Sequence, residues 1–377
     1  MTDVRPVATP RELDAFIRLP WDLYRGDPNW VPPLVAAERK LLDPARNPFW
    51  SRAQAQHFLA RRGGRLVGRV SAIVNQAHDA THDEKAGWFG FFETENDSAT
   101  ARALLDAAEG WLRARGASRV LGPVNPSTND PSGMLIEGFD RPPYVLMTYN
   151  PAHYPPLVDA CGYRKSIDLL AYSVREPQLV RDRLDRIVRL AGERSDVQIR
   201  EVDLSRFEDE LRLVMSIYND AWAQNWGFTP MSEEEIRFVA GDMKAIVLPE
   251  FAYFATYRGE TIAFALALPD INVALQRVNG RLFPFGWIHF LKRNLRKIKR
   301  FRVVALGVKR QWQHLGVGPL FYQRLMDTGL KRGYVECEMS WVLENNDLMT
   351  RPLVMLGAKP YKRYRVYEKA LQPGSVC

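Results

Sequence analysis

Hydrophobic and polar positions along this chain follow two periods, and the switches between them mark its elements. Alternating or continuous apolar runs predict strands at 57–61, 66–75, 251–257, 261–269, 302–308 and 335–343. Apolar positions three and four apart predict helices at 99–115, 176–194 and from Pro319 onward, where Leu320, Phe321, Leu325 and Met326 share a face. Gly63-Gly64 and Gly259 mark tight turns between paired strands. Strands alternating with helices predict an α/β fold with mixed sheets.

The pattern repeats. Gly64 and Gly259, Gly162 and Gly357, and Tyr172 and Tyr367 each lie 195 positions apart, and Asn29-Trp30 recurs as Asn225-Trp226 at 196. Gly116 and Gly333 are 217 apart, so the C-terminal half carries about 22 extra residues before that point. The N-terminal half carries a similar excess later, from Gly122 to Asp140. Two related units are therefore expected, at 1–175 and 196–377, joined by a charged helical linker at 176–195. With 377 residues and 46% hydrophobic content, the chain can fill two cores.

The run 302–308 leads into Gln313-His314-Leu315-Gly316-Val317-Gly318, after which Pro319 suits a helix's first turn. Strand, glycine loop and helix start make an anion cradle, because bare backbone N–H groups and the helix dipole both favour negative charge. A plain tight turn is the other reading of those residues. Beyond the strand at 335–343 stand Asn346 and, at the end of a helical segment, Gly357. The loop resembles the coenzyme A loop of the GNAT superfamily of acyl-CoA N-acyltransferases, and Asn346 with Gly357 is similar to that superfamily's second motif. The resemblance implies a splayed mixed β-sheet flanked by helices in each of two tandem GNAT-like units. It also implies acyl-CoA bound at Gln313, His314, Leu315, Gly316, Val317 and Gly318, with Asn346 nearby, and a backbone N–H of Leu306 or Val308 as oxyanion donor. Asn346 suits a helix N-cap equally well. Leu353 stands where many members carry an acid tyrosine, so that role is not carried over. Gly307 is expected in the bulge that splays the strand. In the N-terminal half the corresponding segment has no glycine pair; Glu95 and Asp97 would repel a pyrophosphate, and Ser98 is expected to cap the next helix. That unit is expected to be degenerate, a wall for the acceptor, leaving one acyl-CoA per chain.

Direct attack of an amine on a thioester needs a base and a proton for the departing thiolate. Glu336, Glu338 and Ser340 share one face of the strand at 335–343. Glu338, nearer the splay, is the first candidate base and Glu336 the second, unless this is a solvated edge. Among Tyr361, Tyr364 and Tyr367 of the last strand, Tyr367 is the candidate acid; packing is the alternative for each. The proline-rich stretch 125–133 is too long for a simple turn. Its Asn129 and Asp130, with Glu137 and Tyr149, are candidates for holding the acceptor, or belong to a structural loop. Trp222 and Trp226 either line the acceptor site or pack a core.

Charge changes the picture next. The net charge is +8, yet no acidic residue lies between Asp270 and Asp327, where twelve Lys and Arg residues crowd. Such focus implies an anionic partner. Within 283–300, Trp287, Leu291, Leu295 and Ile298 fall on one helical stripe among cations, the pattern of a helix lying on an anionic membrane or of an ordinary surface helix. No nucleic-acid motif accompanies the charge, so nucleic acid is not expected. Cys161, Cys337 and Cys377 form neither a disulfide framework nor a metal spacing, and no metal is expected. No apolar run reaches the ~20 residues of a membrane span. A cytoplasmic protein, peripheral at the inner membrane surface, is expected.

Gly122-Pro123-Val124-Asn125 and Glu137-Gly138-Phe139-Asp140 are similar to phrases of tandem-GNAT bacterial proteins, among them bacterial ceramide synthases, which N-acylate a sphingoid base. That resemblance implies a long-chain amine acceptor, with acetyl-CoA or a long-chain acyl-CoA as donor. Acetylation of a small polar amine, or a non-catalytic CoA-binding scaffold, are the alternatives. Oligomeric state is left open.

Overall fold

Paired residues with positive φ close the two long hairpins. Gly63 and Gly64 (φ +57° and +80°) join Ala53–Arg62 to Arg65–Asn75, and Arg258 and Gly259 (φ +49° and +81°) join Ala252–Tyr257 to Glu260–Pro269. Two left-handed residues in succession match the twist of antiparallel strands. The computed structural model describes residues 2–175, 177–192 and 196–371. In chain order its first strands are β1 (Asp3–Pro6), β2 (Ala53–Arg62), β3 (Arg65–Asn75), β4 (Ala86–Thr94), β5 (Arg119–Gly122), β6 (Met134–Glu137) and β7 (Arg164–Val174). They are followed by β8 (Gln198–Glu201), β9 (Ala252–Tyr257), β10 (Glu260–Pro269), β11 (Arg300–Val308), β12 (Glu336–Leu343) and β13 (Lys359–Ala370).

The chain divides into two compact units. Unit 1 holds the residues up to Leu169, Val278–Arg281 and those from Lys362; unit 2 holds Leu170–Arg277 and Leu282–Tyr361. These boundaries depart from the sequence halves at the last strand. From Lys362 onward β13 belongs to unit 1, where Tyr367 pairs with Gly122, while β7 from Leu170 belongs to unit 2. Periodicity places a residue on a face of a strand but does not say which sheet the strand joins.

Unit 1 has strand order β1-β2-β3-β4-β5-β13, with β6 beside β13. Its β4–β5 pair is parallel and the others are antiparallel. Helix Ser98–Arg113 lays Ala101, Leu104, Leu105, Ala108 and Leu112 onto Val67, Val70, Ala72 and Phe89. Its N-cap is Asp97, not Ser98: the Asp97 carboxylate accepts from Thr100 N at 3.0 Å. A carboxylate here satisfies an orphan N–H and also favours the dipole's positive end.

Unit 2 has the order β7-β12-β11-β10-β9-β8. Strands β8 to β11 are antiparallel neighbours, and β11–β12 is parallel. Helix Val317–Lys331 presents Phe321, Leu325 and Met326 to Phe301, Val303, Cys337 and Met339 of the sheet. Each such large side chain contributes about 1.5–3 kcal/mol on burial.

The segment 283–300 is not one amphipathic helix. It forms a 3₁₀ turn at Gly286–Phe290 and a single α-turn at Lys292–Leu295. Leu295 is fully buried, whereas Phe283, Phe285, Trp287, Ile288 and Leu291 are exposed, Phe283 to 80%. Leu291, with φ −58° and ψ +137°, leaves the helical region between the two turns, and the Asn294 side chain bonds Ile288 O at 2.7 Å. The apolar side chains consequently point outward from a turn instead of sharing a helical stripe.

Candidate active site in unit 2

The parallel ladder of β11 and β12 runs from Arg300↔Glu336 to Val303↔Met339 and stops, although the strands continue to Val308 and Leu343. At that point β11 bulges: Ala267 faces Val303 and Leu266 faces Ala305, leaving Val304 without a partner on β10. Beyond the bulge, Lys309 N bonds Ile262 O at 2.8 Å. By antiparallel alternation Gly307 and Ala305 then turn their polar backbone atoms to β10, and Leu306 and Val308 turn theirs to the splayed side. Gly307 is not the bulge residue. A Cβ there would lie 2.2 Å from the Trp222 ring, which stacks on Tyr218 at 4.7 Å, so the close approach of Trp222 demands glycine.

After β11 comes a 3₁₀ turn, Arg310–Leu315, then Gly316 at φ +67° and ψ +32°. A side chain in that left-handed conformation costs about 1–2 kcal/mol. Helix Val317–Lys331 follows with no side-chain cap, so its first N–H groups lack intrahelical partners and gather the dipole's positive end. A Cβ on Gly318 would meet nothing within 4 Å. Protein packing therefore does not require glycine there, and the bare, open helix start suits a pyrophosphate. Gln313 and His314 are exposed, Leu315 is half-buried, and Val317 is anchored in the core. The Gln313 side chain reaches Val308 O at 3.5 Å. Asn346 caps helix Asp347–Met355, accepting from Met349 N at 3.3 Å.

Glu338 lies one residue before the end of the parallel ladder, in register with Arg302. It is completely buried, and Arg302 and Ser340 are 3% and 6% exposed. Arg302 donates from Nε to Ser340 Oγ at 2.8 Å and from Nη2 to Ser340 O at 2.9 Å; the Ser340 hydroxyl donates to Glu338 Oε1 at 2.6 Å. Arg302 Nε also stands 3.7 Å from Glu338 Oε1. The Tyr361 hydroxyl donates to the other oxygen, Glu338 Oε2. A buried carboxylate is tolerated when so compensated. Glu336 is placed differently: it accepts from Ser173 Oγ at 3.2 Å and Arg175 Nε at 3.0 Å. Burial pushes the adjacent Cys337 thiol well up, so it stays protonated and inert.

The structure thus joins Glu338 to Tyr361 and not to Tyr367, which is buried in the core of unit 1 with its hydroxyl pushed up by burial. Arg302 carries no role in the sequence reading beyond its charge. An arginine opening the apolar run Arg302-Val303-Val304 was the available signal, since a cation within a buried strand needs a partner.

Unit 1 shows the same parting of strands. Its ladder runs from Ala86↔Arg119 to Trp88↔Leu121 and ends while β4 continues. Here the chain's own loop fills the opening. Val124 N bonds Phe89 O at 3.0 Å, Phe91 N bonds Asn125 Oδ1 at 2.6 Å, and Asn125 Nδ2 bonds Pro131 O at 2.9 Å. A Cβ on Gly90 would lie 1.7 Å from Val124 O. Glu95 and Asp97 are ion-paired with Arg62 (2.5 and 2.9 Å), and Glu95 also with Arg65, so their charge is largely compensated. Obstruction by the loop, more than acidic repulsion, closes this splay. Within the loop Asn129 N bonds Ser127 Oγ at 3.2 Å, and Ser127 Oγ bonds Asp130 Oδ2 at 2.6 Å. Glu137 pairs with Arg363 at 3.2 Å, and the Tyr149 hydroxyl donates to Asp27 Oδ2 at 2.9 Å. Asn129, Asp130, Glu137 and Tyr149 therefore belong to unit 1, and Trp222 and Trp226 to unit 2. Unit 1 also holds Glu93, which accepts from Tyr24 at 2.7 Å and Tyr154 at 2.8 Å; burial raises its pKa above the ordinary carboxylate value.

No family model matches the chain. It is 41% identical to Bacterial ceramide synthase of Caulobacter vibrioides (strain NA1000 / CB15N), over 98% of this chain and 97% of that protein. The chain belongs to this family of acyl-CoA N-acyltransferases. It is also 36% identical to Protein YghO of Escherichia coli (strain K12), over 98% of this chain and 95% of that one. In fold it is similar to a tandem GNAT protein from the clavulanic acid biosynthesis pathway, with TM-score 0.58, 12% identity and complete coverage of both chains. A GCN5-related N-acetyltransferase from Sphaerobacter thermophilus gives TM-score 0.52 at 15% identity, over 99% of this chain and 96% of the other. The mixed α/β architecture is that of tandem GNAT proteins, and the enzyme transfers an acyl group from acyl-CoA to an amine. Among the described residues no helix is long and apolar enough to cross a membrane.

Proposed function

We propose that this N-acyltransferase acylates a long-chain amine of the sphingoid-base class, at an anionic membrane surface, with a single acyl-CoA bound in unit 2. The observation that carries the donor site is the open splay of β11 from β12, leading to an uncapped helix start at Gly316 and Gly318. In this reading Gln313 to Gly318 hold the pyrophosphate, Asn346 borders the site, and an N–H of Leu306 or Val308 receives the oxyanion. Glu338 is the proton acceptor and Glu336 a structural ion-pair partner. Unit 1 is assigned no acyl-CoA. The 41% likeness to a protein named Bacterial ceramide synthase supports the acceptor class. So does the turn exposing Phe283, Phe285, Trp287, Ile288 and Leu291 among cations, a combination suited to an anionic lipid interface.

The test is product identification. Purified chain is incubated with acetyl- or palmitoyl-CoA against sphinganine, lysine and spermidine, and amides are read by mass spectrometry. Palmitoyl-sphinganine is the expected product. Acylation of lysine or spermidine alone would overturn the long-chain acceptor and favour a small polar amine. For the membrane, Phe283→Ser with Phe285→Ser is expected to reduce co-sedimentation with phosphatidylglycerol vesicles; unchanged sedimentation would remove the turn's assigned role.

A further inference from the structure

Glu338 is fully buried, so a substrate nitrogen does not reach its carboxylate without passing a neighbour. One carboxylate oxygen, Oε1, is engaged by the Ser340 hydroxyl with Arg302 behind it, and both side chains are buried. The other oxygen, Oε2, receives the Tyr361 hydroxyl. Of these four side chains Tyr361 alone is not buried. It lies near the start of β13, which begins at Lys359, whereas Glu338 sits one pair before the point where β11 and β12 part. A phenol is both donor and acceptor, so Tyr361 can pass its hydrogen to Glu338 and take a proton in return.

We propose that Tyr361 is the catalytic residue that touches the acceptor nitrogen, and that Glu338 acts through it as the terminus of a two-member proton relay. This deepens the acyltransferase reading of the unit 2 site and rests on it. The ammonium form of the acceptor passes one N–H proton to the Tyr361 oxygen as the Tyr361 hydroxyl proton moves to Glu338 Oε2. The nitrogen lone pair then forms the C–N bond at the thioester carbonyl carbon. The C–S bond breaks with its electron pair on sulfur, and a second N–H proton goes to that sulfur. Amide and thiol result, and the first proton returns from Glu338 through the phenol to water. Arg302 and Ser340 are positioning residues: they fix the carboxylate so that Oε2 faces the phenol.

The experiment uses the full chain with palmitoyl-CoA and sphinganine, comparing wild type, Tyr361→Phe, Glu338→Gln and the double variant. Tyr361→Phe is expected to lower kcat about 100-fold, the scale of a lost acid–base group, with KM for palmitoyl-CoA unchanged. The double variant is expected to be no slower than the slower single one, because both changes cut one relay. The rise of kcat with pH in the wild type should flatten in Tyr361→Phe, which a packing role would not cause. If Glu338→Gln fails to fold, the Tyr361→Phe rate and pH profile decide alone. An active wild type with Tyr361→Phe within about threefold in kcat and the same pH profile overturns the relay. So does multiplication of the two single effects. A wild type that acylates spermidine but not sphinganine overturns only the acceptor class, and the variants are then compared on spermidine.

Discussion

In unit 1 the parallel strands part after Trp88 and Leu121; in unit 2 they part after Val303 and Met339, one pair beyond Arg302 and Glu338. Aligned by ladder register, Trp88 with Leu121 in unit 1 corresponds to Arg302 with Glu338 in unit 2. The apolar pair is favourable to bury, whereas the charged pair carries a desolvation cost of several kcal/mol per ion that its hydrogen bonds must offset. Past the parting, unit 1 fills the gap with Val124 and Asn125, and unit 2 continues into an uncapped helix start. One strand plan thus supports two outcomes. Where the chain supplies its own occupant the opening is structural, and where it leaves backbone groups bare and keeps a costly buried carboxylate, we assign the chemistry.

Removing one member of the charged pair should break this contrast most strongly. Arg302→Ala removes the buried cation beside Glu338, and unit 2 is expected to lose about 3–5 kcal/mol in denaturant unfolding. Arg302→Met with Glu338→Leu gives unit 2 an apolar pair in the manner of unit 1. That double variant is expected to regain most of the stability while remaining inactive. Equal destabilisation by both would mean that the pair's charge balance is not what matters.

Smaller effects should follow from the two glycines fixed by close approach. Gly90→Ala forces its Cβ onto Val124 O in unit 1, and Gly307→Ala forces its Cβ onto Trp222 in unit 2. Each is expected to cost about 1–3 kcal/mol, the range for overpacking. Only Gly307→Ala should also weaken turnover, because only it disturbs β11 beside the assigned site. Parallel losses of turnover would blur the division between the units.

Much of this was legible in the residues themselves. The strand, loop and helix around Gly316 follow from apolar runs punctuated by glycine, and the shared face of Glu336, Glu338 and Ser340 follows from a period of two. The recurrence of Gly64 at Gly259 marked the repeat because a left-handed turn tolerates few substitutes. What was hidden depends on pairing between distant segments. Nothing in 359–370 states that Tyr367 will pair with Gly122, or that Tyr361 will meet Glu338. The plug was equally hidden, since Val124 reveals its place only once Phe89 offers a carbonyl. The stripe at 283–300 does not form because Leu291, one of its own members, turns extended at ψ +137° and separates two short turns, which spacing alone does not reveal.

The contrast between the units predicts one acyl-CoA per chain, held by unit 2. Isothermal titration of the purified chain with CoA tests it most directly, using wild type, Gly316→Glu and Glu95→Gln. Gly316 needs its left-handed backbone and starts the helix, so a glutamate there adds both strain and like charge to the proposed pyrophosphate site. Glu95 is an ion-paired residue of unit 1, beside a splay that the chain itself fills. The expected result is a stoichiometry of one, lost in Gly316→Glu and unchanged in Glu95→Gln. Two equivalent sites in the wild type, or one site that survives Gly316→Glu, would contradict it.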